Sequence, residues 1–285
     1  RVGKDRPIGT YKVMMRARNY VAAFIKSFYR RSDMSMLELT PDFIKEFAAY
    51  LSTEAGLRNG SIWANCMWLK GVVMKAHYNG LIPRNPFIQF HISPNVKERE
   101  YLTEDELKAV MTHEFADSKL AYIRDIFIFA SFTALSFVDI QELTNDNIVE
   151  VNGEKWILSK RHKTKVAFQV KLLDIPLQIV ERYRPMQKDN RIFPGLNYWS
   201  ICKPLKRMIR ECGITKSISF HCSRHGFATL ALSKGMPIES VSRVLGHTNI
   251  VTTQLYAKIT TQKLDNDLTM FGDKLSKTFN GITMS

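Results

Sequence analysis

His221-Cys222-Ser223-Arg224-His225, then Leu245-Gly246-His247, then Tyr256 concentrate the chemistry of this 285-residue chain in its last quarter. The residues around them are apolar at helical spacing. Arg224 to Lys234, Ile238 to Leu245 and Thr252 to Ile259 each read as a helix. His221 and His225 are spaced like a zinc pair, but the residues between them lack the glutamate of H-E-x-x-H and no third ligand stands nearby, so no metal site is expected. Taken singly, a helical tyrosine is usually packing and histidines four apart are usually helix surface. Together they fit metal-free attack on a phosphodiester. The charged phosphate oxygens need holding, which arginine does with a planar, permanently charged fork. A tyrosine phenol, with an ordinary pKa near 10, needs a nearby base or cation to become a nucleophile. The leaving sugar hydroxyl needs a proton from a lysine or histidine.

Upstream of this stretch the period changes. Ile148 to Val151, an Asn152-Gly153 turn and Trp156 to Leu158 read as a hairpin, and Val166 to Leu172 alternates as a third strand. Further helices are expected over Ile175–Tyr183 and Trp199–Glu211, over Lys119–Ala134, and from the capping pattern at Thr103-Glu104-Asp105-Glu106 to Thr112. The first ninety-odd residues read as helices alone: Tyr11–Arg31, a start at Thr40-Pro41-Asp42, and Asn59–Tyr78. Pro83, Pro86 and Pro94 then break regular structure, and the polar run 94–100 reads as a linker. The expected fold class is mainly α with a small antiparallel β-sheet (α+β). The domains are 1–93, a linker at 94–100, and 101–285 with a C-terminal tail at 260–285.

Charge points to polyanions. Forty-one Lys and Arg face 27 Asp and Glu, a net of +14, with a pI near 9.6. Residues 1–93 hold 14 basic and 6 acidic side chains, and the rest of the chain is basic as well, so a cationic tail is not the source. The cations are dispersed rather than set beside an apolar stripe, which argues against a membrane surface. No apolar run reaches the roughly 20 residues of a membrane span. Cys66, Cys202, Cys212 and Cys222 form no C-x-x-C pair and read as reduced thiols. No leader is expected, and Arg1 at the start suggests a piece of a longer chain.

With those residues in place, the chain resembles the tyrosine recombinases, the phage-integrase class of DNA breaking and joining enzymes. His-x-x-Arg-His, Leu-Gly-His and the run from Leu245 through Thr252-Thr253-Gln254-Leu255 to Tyr256 carry the resemblance, which spans essentially the whole chain. It implies a helical, SAM-like core-binding domain over 1–93 and a catalytic domain over 101–285. It implies site-specific cleavage and rejoining of DNA through a 3′-phosphotyrosine, without metal or cofactor. The implied partners are double-stranded DNA recombination sites, a tetramer of the chain on DNA, and accessory DNA-bending proteins. The implied setting is a mobile element in bacterial cytoplasm, at the nucleoid, away from any membrane. Position by position, Tyr256 matches the nucleophile, Arg224 the second active-site arginine, and His221 the proton-transfer histidine of the same box. His247 matches the histidine that bonds the scissile phosphate, and Lys163, beside Lys160 and Lys165, the lysine that protonates the leaving oxygen.

One position departs from the pattern. The family's first arginine belongs to a Thr-Gly-Leu-Arg-x-x-Glu motif, and this chain has Thr133-Ala134-Leu135-Ser136-Phe137-Val138-Asp139. A serine supplies one neutral hydrogen bond in place of a fixed charge, a loss on the scale of several kcal/mol if nothing replaces it. Either the chain is a catalytically silent DNA binder, or another cation has moved in. Arg161 is the expected replacement, because on a strand that persists to the hairpin it shares a face with Lys163, two residues on. Arg124 is the fallback. A third possibility is a topoisomerase-type enzyme that relaxes a single duplex.

Overall fold

The computed structural model describes residues 8–94, 100–162, 165–187, 189–257 and 261–280, and of residues 261–263 and 266 the backbone alone. The chain divides into two compact units, Arg1–Glu98 and Arg99–Ser285.

The first unit is built on α1 (Ile8–Phe28), α2 (Pro41–Thr53) and α3 (Asn59–Tyr78). Thr40 starts α2 by accepting the Phe43 amide on its hydroxyl at 3.1 Å. Pro41 fills the first turn, where a missing N–H costs nothing. Phe24, Phe43, Ile44, Phe47, Leu51, Ile62, Cys66 and Val73 close the core, each large side chain contributing about 1.5–3 kcal/mol by burial. The first helix stops at Phe28, short of the expected Arg31, and Arg30 turns the chain with a left-handed φ of 57°. Of the expected linker, only Pro94 and Glu100 lie among the described residues.

The second unit runs α4 (Glu104–Thr112), α5 (Ser118–Thr133), α6 (Phe137–Gln141), β1 (Ile148–Val151), β2 (Glu154–Lys160), β3 (Ala167–Lys171), α7 (Asp174–Tyr183), α8 (Tyr198–Glu211), α9 (His221–Ser233), α10 (Ile238–Leu245), α11 (Val251–Gln254) and α12 (Thr261–Thr278). α5 is apolar on nearly every face and lies in the middle of the core, packed by α4, α7, α8 and α9. The sheet is antiparallel with β2 central, and Ile157 pairs with Ile148 on one side and Val170 on the other. Asn152 and Gly153, at φ 53° and 76°, form the tight turn that their pairing predicts. α10 packs on β3, α9 and α11, which sets its C-terminal end beside the sheet.

Three local expectations are corrected. β2 ends at Lys160, so the strand does not persist to Arg161, and Lys163 lies outside the described residues. Beyond Lys160 the Arg161 amide donates to the Val166 carbonyl at 2.8 Å and the Lys165 amide to the Arg161 carbonyl at 2.9 Å. α9 begins at His221, three residues before the expected start, and α11 ends at Gln254 instead of Ile259. α12 leaves Leu264, Leu268 and Phe271 exposed. All four cysteines are free thiols. Among the described residues no helix is long and apolar enough to cross a membrane.

Candidate active site

The site is assembled around the C-terminal end of α10. Gly246, with φ 61°, ends the helix in the left-handed region. The amides of Gly246 and His247 fold back onto the carbonyls of Arg243 and Ser242, each at 3.0 Å. The next two carbonyls of the helix receive side chains. Arg161 Nη2 donates to the Val244 carbonyl at 2.6 Å, and Arg224 Nη2 donates to the Leu245 carbonyl. The negative end of the helix dipole favours both cations. Arg224 Nη1 also donates to the Ala134 carbonyl at 2.9 Å.

Arg161 is held from four directions. Its Nη1 donates to Asp139 Oδ2 at 2.7 Å. Its guanidinium lies 4.0 Å over the Phe168 ring. Gly246 leaves it room: a Cβ there would sit 2.9 Å from its Cγ and Nε. Among the described residues, its Nε is the one buried side-chain nitrogen or oxygen without a hydrogen-bond partner. Ser136 caps α6, and its hydroxyl donates to the same Asp139 oxygen at 2.8 Å. Burial works against charge on Asp139, but the His162 amide, Arg161 and Ser136 outweigh it and keep the carboxyl below its usual range.

The cations feel one another. Burial first, then the charge of Arg161, pushes Arg224 down to about 10, with Tyr256 and Asp139 opposing. It therefore stays charged at neutral pH. His247 is pushed down to about 4, first by burial and then by Arg224, Arg161 and His221, so its imidazole is neutral at pH 7. Its Nδ1 lies 2.8 Å from the Thr253 hydroxyl.

His221, Arg224 and His225 share a face of α9 at spacings of three and four residues. The His221 and His225 rings meet edge to face at 4.7 Å, and His225 in turn touches the Tyr256 ring at 5.1 Å. Tyr256 is half-buried against the small cluster of Ala134, Ala228, Leu232, Val241 and Leu245, and its amide donates to the Thr253 carbonyl at 3.0 Å. Arg161, Arg224, His221, His247 and Tyr256 are thus brought together. Arg124 is engaged elsewhere, with Asp125 at 2.9 Å, the His113 carbonyl at 2.8 Å and the Phe115 ring. Sequence reasoning did not single out Thr253 or the ring contact of His225. The Thr252-Thr253 pair just before Tyr256 was the available signal for the first, and the His221/His225 spacing for the second.

The sequence profile of the phage integrase family matches residues 100–263, more than half of the chain. The chain belongs to this family. Its members are the tyrosine recombinases, which cleave and rejoin DNA through a tyrosine intermediate. The profile of the phage integrase SAM-like domain matches residues 2–92. The recombinase is 24% identical to the tyrosine recombinase XerD of Listeria innocua, over 92% of each chain. It is 32% identical to the tyrosine recombinase XerA of Pyrococcus horikoshii, but that match spans only 58% of the relative's length. In fold it resembles the Tn1549 transposon integrase solved with a circular-intermediate DNA, with a TM-score of 0.77 and 17% identity over 94% of this chain and 95% of that one. It also resembles a lambda integrase dimer bound to a core site, with a TM-score of 0.70 and 17% identity over 89% of each.

Proposed function

We propose that this recombinase is catalytically active and cuts and rejoins double-stranded DNA at specific sites, with Tyr256 as the nucleophile, in the integration and excision of a mobile element. The observation that carries the reading is the pair of guanidiniums, Arg161 and Arg224, on the adjacent carbonyls of Val244 and Leu245, with Tyr256 close enough to act on the charge of Arg224. Tyr256 Oη forms a bond to the scissile phosphorus while the bond from phosphorus to the 5′ oxygen breaks. Arg224 and Arg161 hold the non-bridging oxygens, Arg161 supplying the charge that Ser136 lacks. Neutral His247 donates a hydrogen bond to the same phosphate. His221 takes the phenol proton, and Lys163, by its resemblance, gives one to the departing 5′ oxygen. The ester conserves the energy of the broken bond, and a second 5′ hydroxyl reverses the chemistry on the partner strand. The transposon and phage integrases among its structural relatives, both solved on DNA, support the mobile-element setting. The basic surplus of +14 supports a clamp whose affinity falls steeply with salt.

A DNA substrate nicked beside the cleavage site traps the intermediate. The reading predicts a covalent adduct that disappears in Tyr256→Phe. Retarded DNA without an adduct identifies a silent binder instead, and relaxation of supercoils without strand exchange identifies a topoisomerase-type enzyme.

A further inference from the structure

Thr253 is fully buried on α11, one helical turn before the nucleophile, and touches both halves of the chemistry. Its backbone carbonyl accepts the Tyr256 amide at 3.0 Å. Its hydroxyl lies 2.8 Å from Nδ1 of His247. The charged groups acting on His247 are Arg224, Arg161 and His221, all of which oppose its protonation. A neutral imidazole carries one N–H and one bare nitrogen, and the partner of one nitrogen decides the state of the other. A backbone carbonyl or a carboxylate at Nδ1 can only accept. It would draw the proton to Nδ1 and leave Nε2 bare. A hydroxyl can accept or donate, so it can also leave the proton on Nε2.

We propose that Thr253 is a positioning residue whose hydroxyl donates to Nδ1 of His247 and thereby keeps the imidazole proton on Nε2, the nitrogen left to face the scissile phosphate. A phosphate oxygen carries no proton, so only the Nε2–H tautomer hydrogen-bonds it, and the opposite tautomer turns a lone pair toward negative charge. The same residue holds Tyr256 by its carbonyl and His247 by its hydroxyl, so donor and nucleophile keep register through one residue. The inference rests on the assignment of His247 as a phosphate donor, and its test separates the two.

The test is nitrogen NMR of the full chain with labelled histidine, paired with single-turnover adduct formation on nicked DNA. In the unmodified protein His247 is expected to carry its proton on Nε2. Thr253→Val, which keeps the shape and drops the hydroxyl, moves the proton to Nδ1 and slows adduct formation on the scale of a misplaced catalytic group, up to about 100-fold, with DNA binding unchanged. Thr253→Ser restores both readouts. A proton on Nδ1 in the unmodified protein overturns the inference whether or not the valine variant folds, and so does a valine variant that keeps the Nε2 proton. A tautomer that shifts in Thr253→Val while adduct formation stays at the unmodified rate overturns the catalytic consequence. In that case it is the reading of His247 as a phosphate donor that fails.

Discussion

Ser136 and Arg161 end on one atom. Both donate to Oδ2 of Asp139, at 2.8 and 2.7 Å. The serine is short enough to cap α6 and leave the carboxylate open to a guanidinium arriving from beyond the end of β2. If Arg161 holds the phosphate as proposed, an arginine at 136 and an arginine at 161 are alternative solutions to one electrostatic problem. Ser136→Arg in the unmodified protein is expected to cost about 1 kcal/mol for the lost cap and to give no gain in adduct formation. In an Arg161→Ala background the same change restores part of the lost rate. Urea denaturation and single-turnover cleavage of the two variants check it.

Gly246 is the second condition on Arg161. Alanine there meets both the left-handed φ of 61° and the 2.9 Å approach to the arginine side chain. The expected cost is about 1–2 kcal/mol for the backbone alone, with a further loss of cleavage as Arg161 is pushed off the Val244 carbonyl. If Gly246→Ala loses stability but cleaves at the full rate, the packing does not position the cation.

How much of this was legible beforehand depended on the range of the contacts. The helices around Phe47 and Val73, the Asn152-Gly153 turn and the order of the site motifs follow from local patterns, and they appear where the patterns put them. The expectation for Arg161 rested on the face of a strand. The strand that was to carry it stops at Lys160, and its position depends on the Val244 carbonyl 83 residues away and on the missing side chain of Gly246. No periodicity reports a contact of that kind. α11 ends at Gln254, short of the expected Ile259, where the Tyr256 and Ala257 amides tighten onto the carbonyls three residues back, a local turn that the apolar spacing does not report.

Acid should reveal His247. Its folded value near 4 lies below the ordinary 6.5, so the unfolded chain takes up the proton first as pH falls. The stability held by the neutral imidazole is complete above about 6.5 and is lost progressively from there down to about 4. Unfolding free energy measured in urea at pH 7, 6 and 5 is expected to fall across that window, with a shallower slope in His247→Phe. Equal slopes would place the histidine in water.

Tyr256 rests on His225 of its own chain, so each molecule is expected to cut with its own nucleophile. Mixing Arg224→Ala with Tyr256→Phe on nicked DNA tests this. No adduct is predicted, and adduct formation in the mixture, absent from either variant alone, would mean that the tyrosine is lent between protomers.

The most direct test of the central claim compares two scissile groups, a phosphate and a methylphosphonate in which one charged oxygen is replaced by methyl. If Arg161 neutralises that charge, Arg161→Ala slows single-turnover adduct formation on the phosphate by about 100- to 1000-fold, and the defect largely disappears on the methylphosphonate. The same defect on both substrates, or no defect on either, would contradict a role for Arg161 as the second phosphate-holding cation.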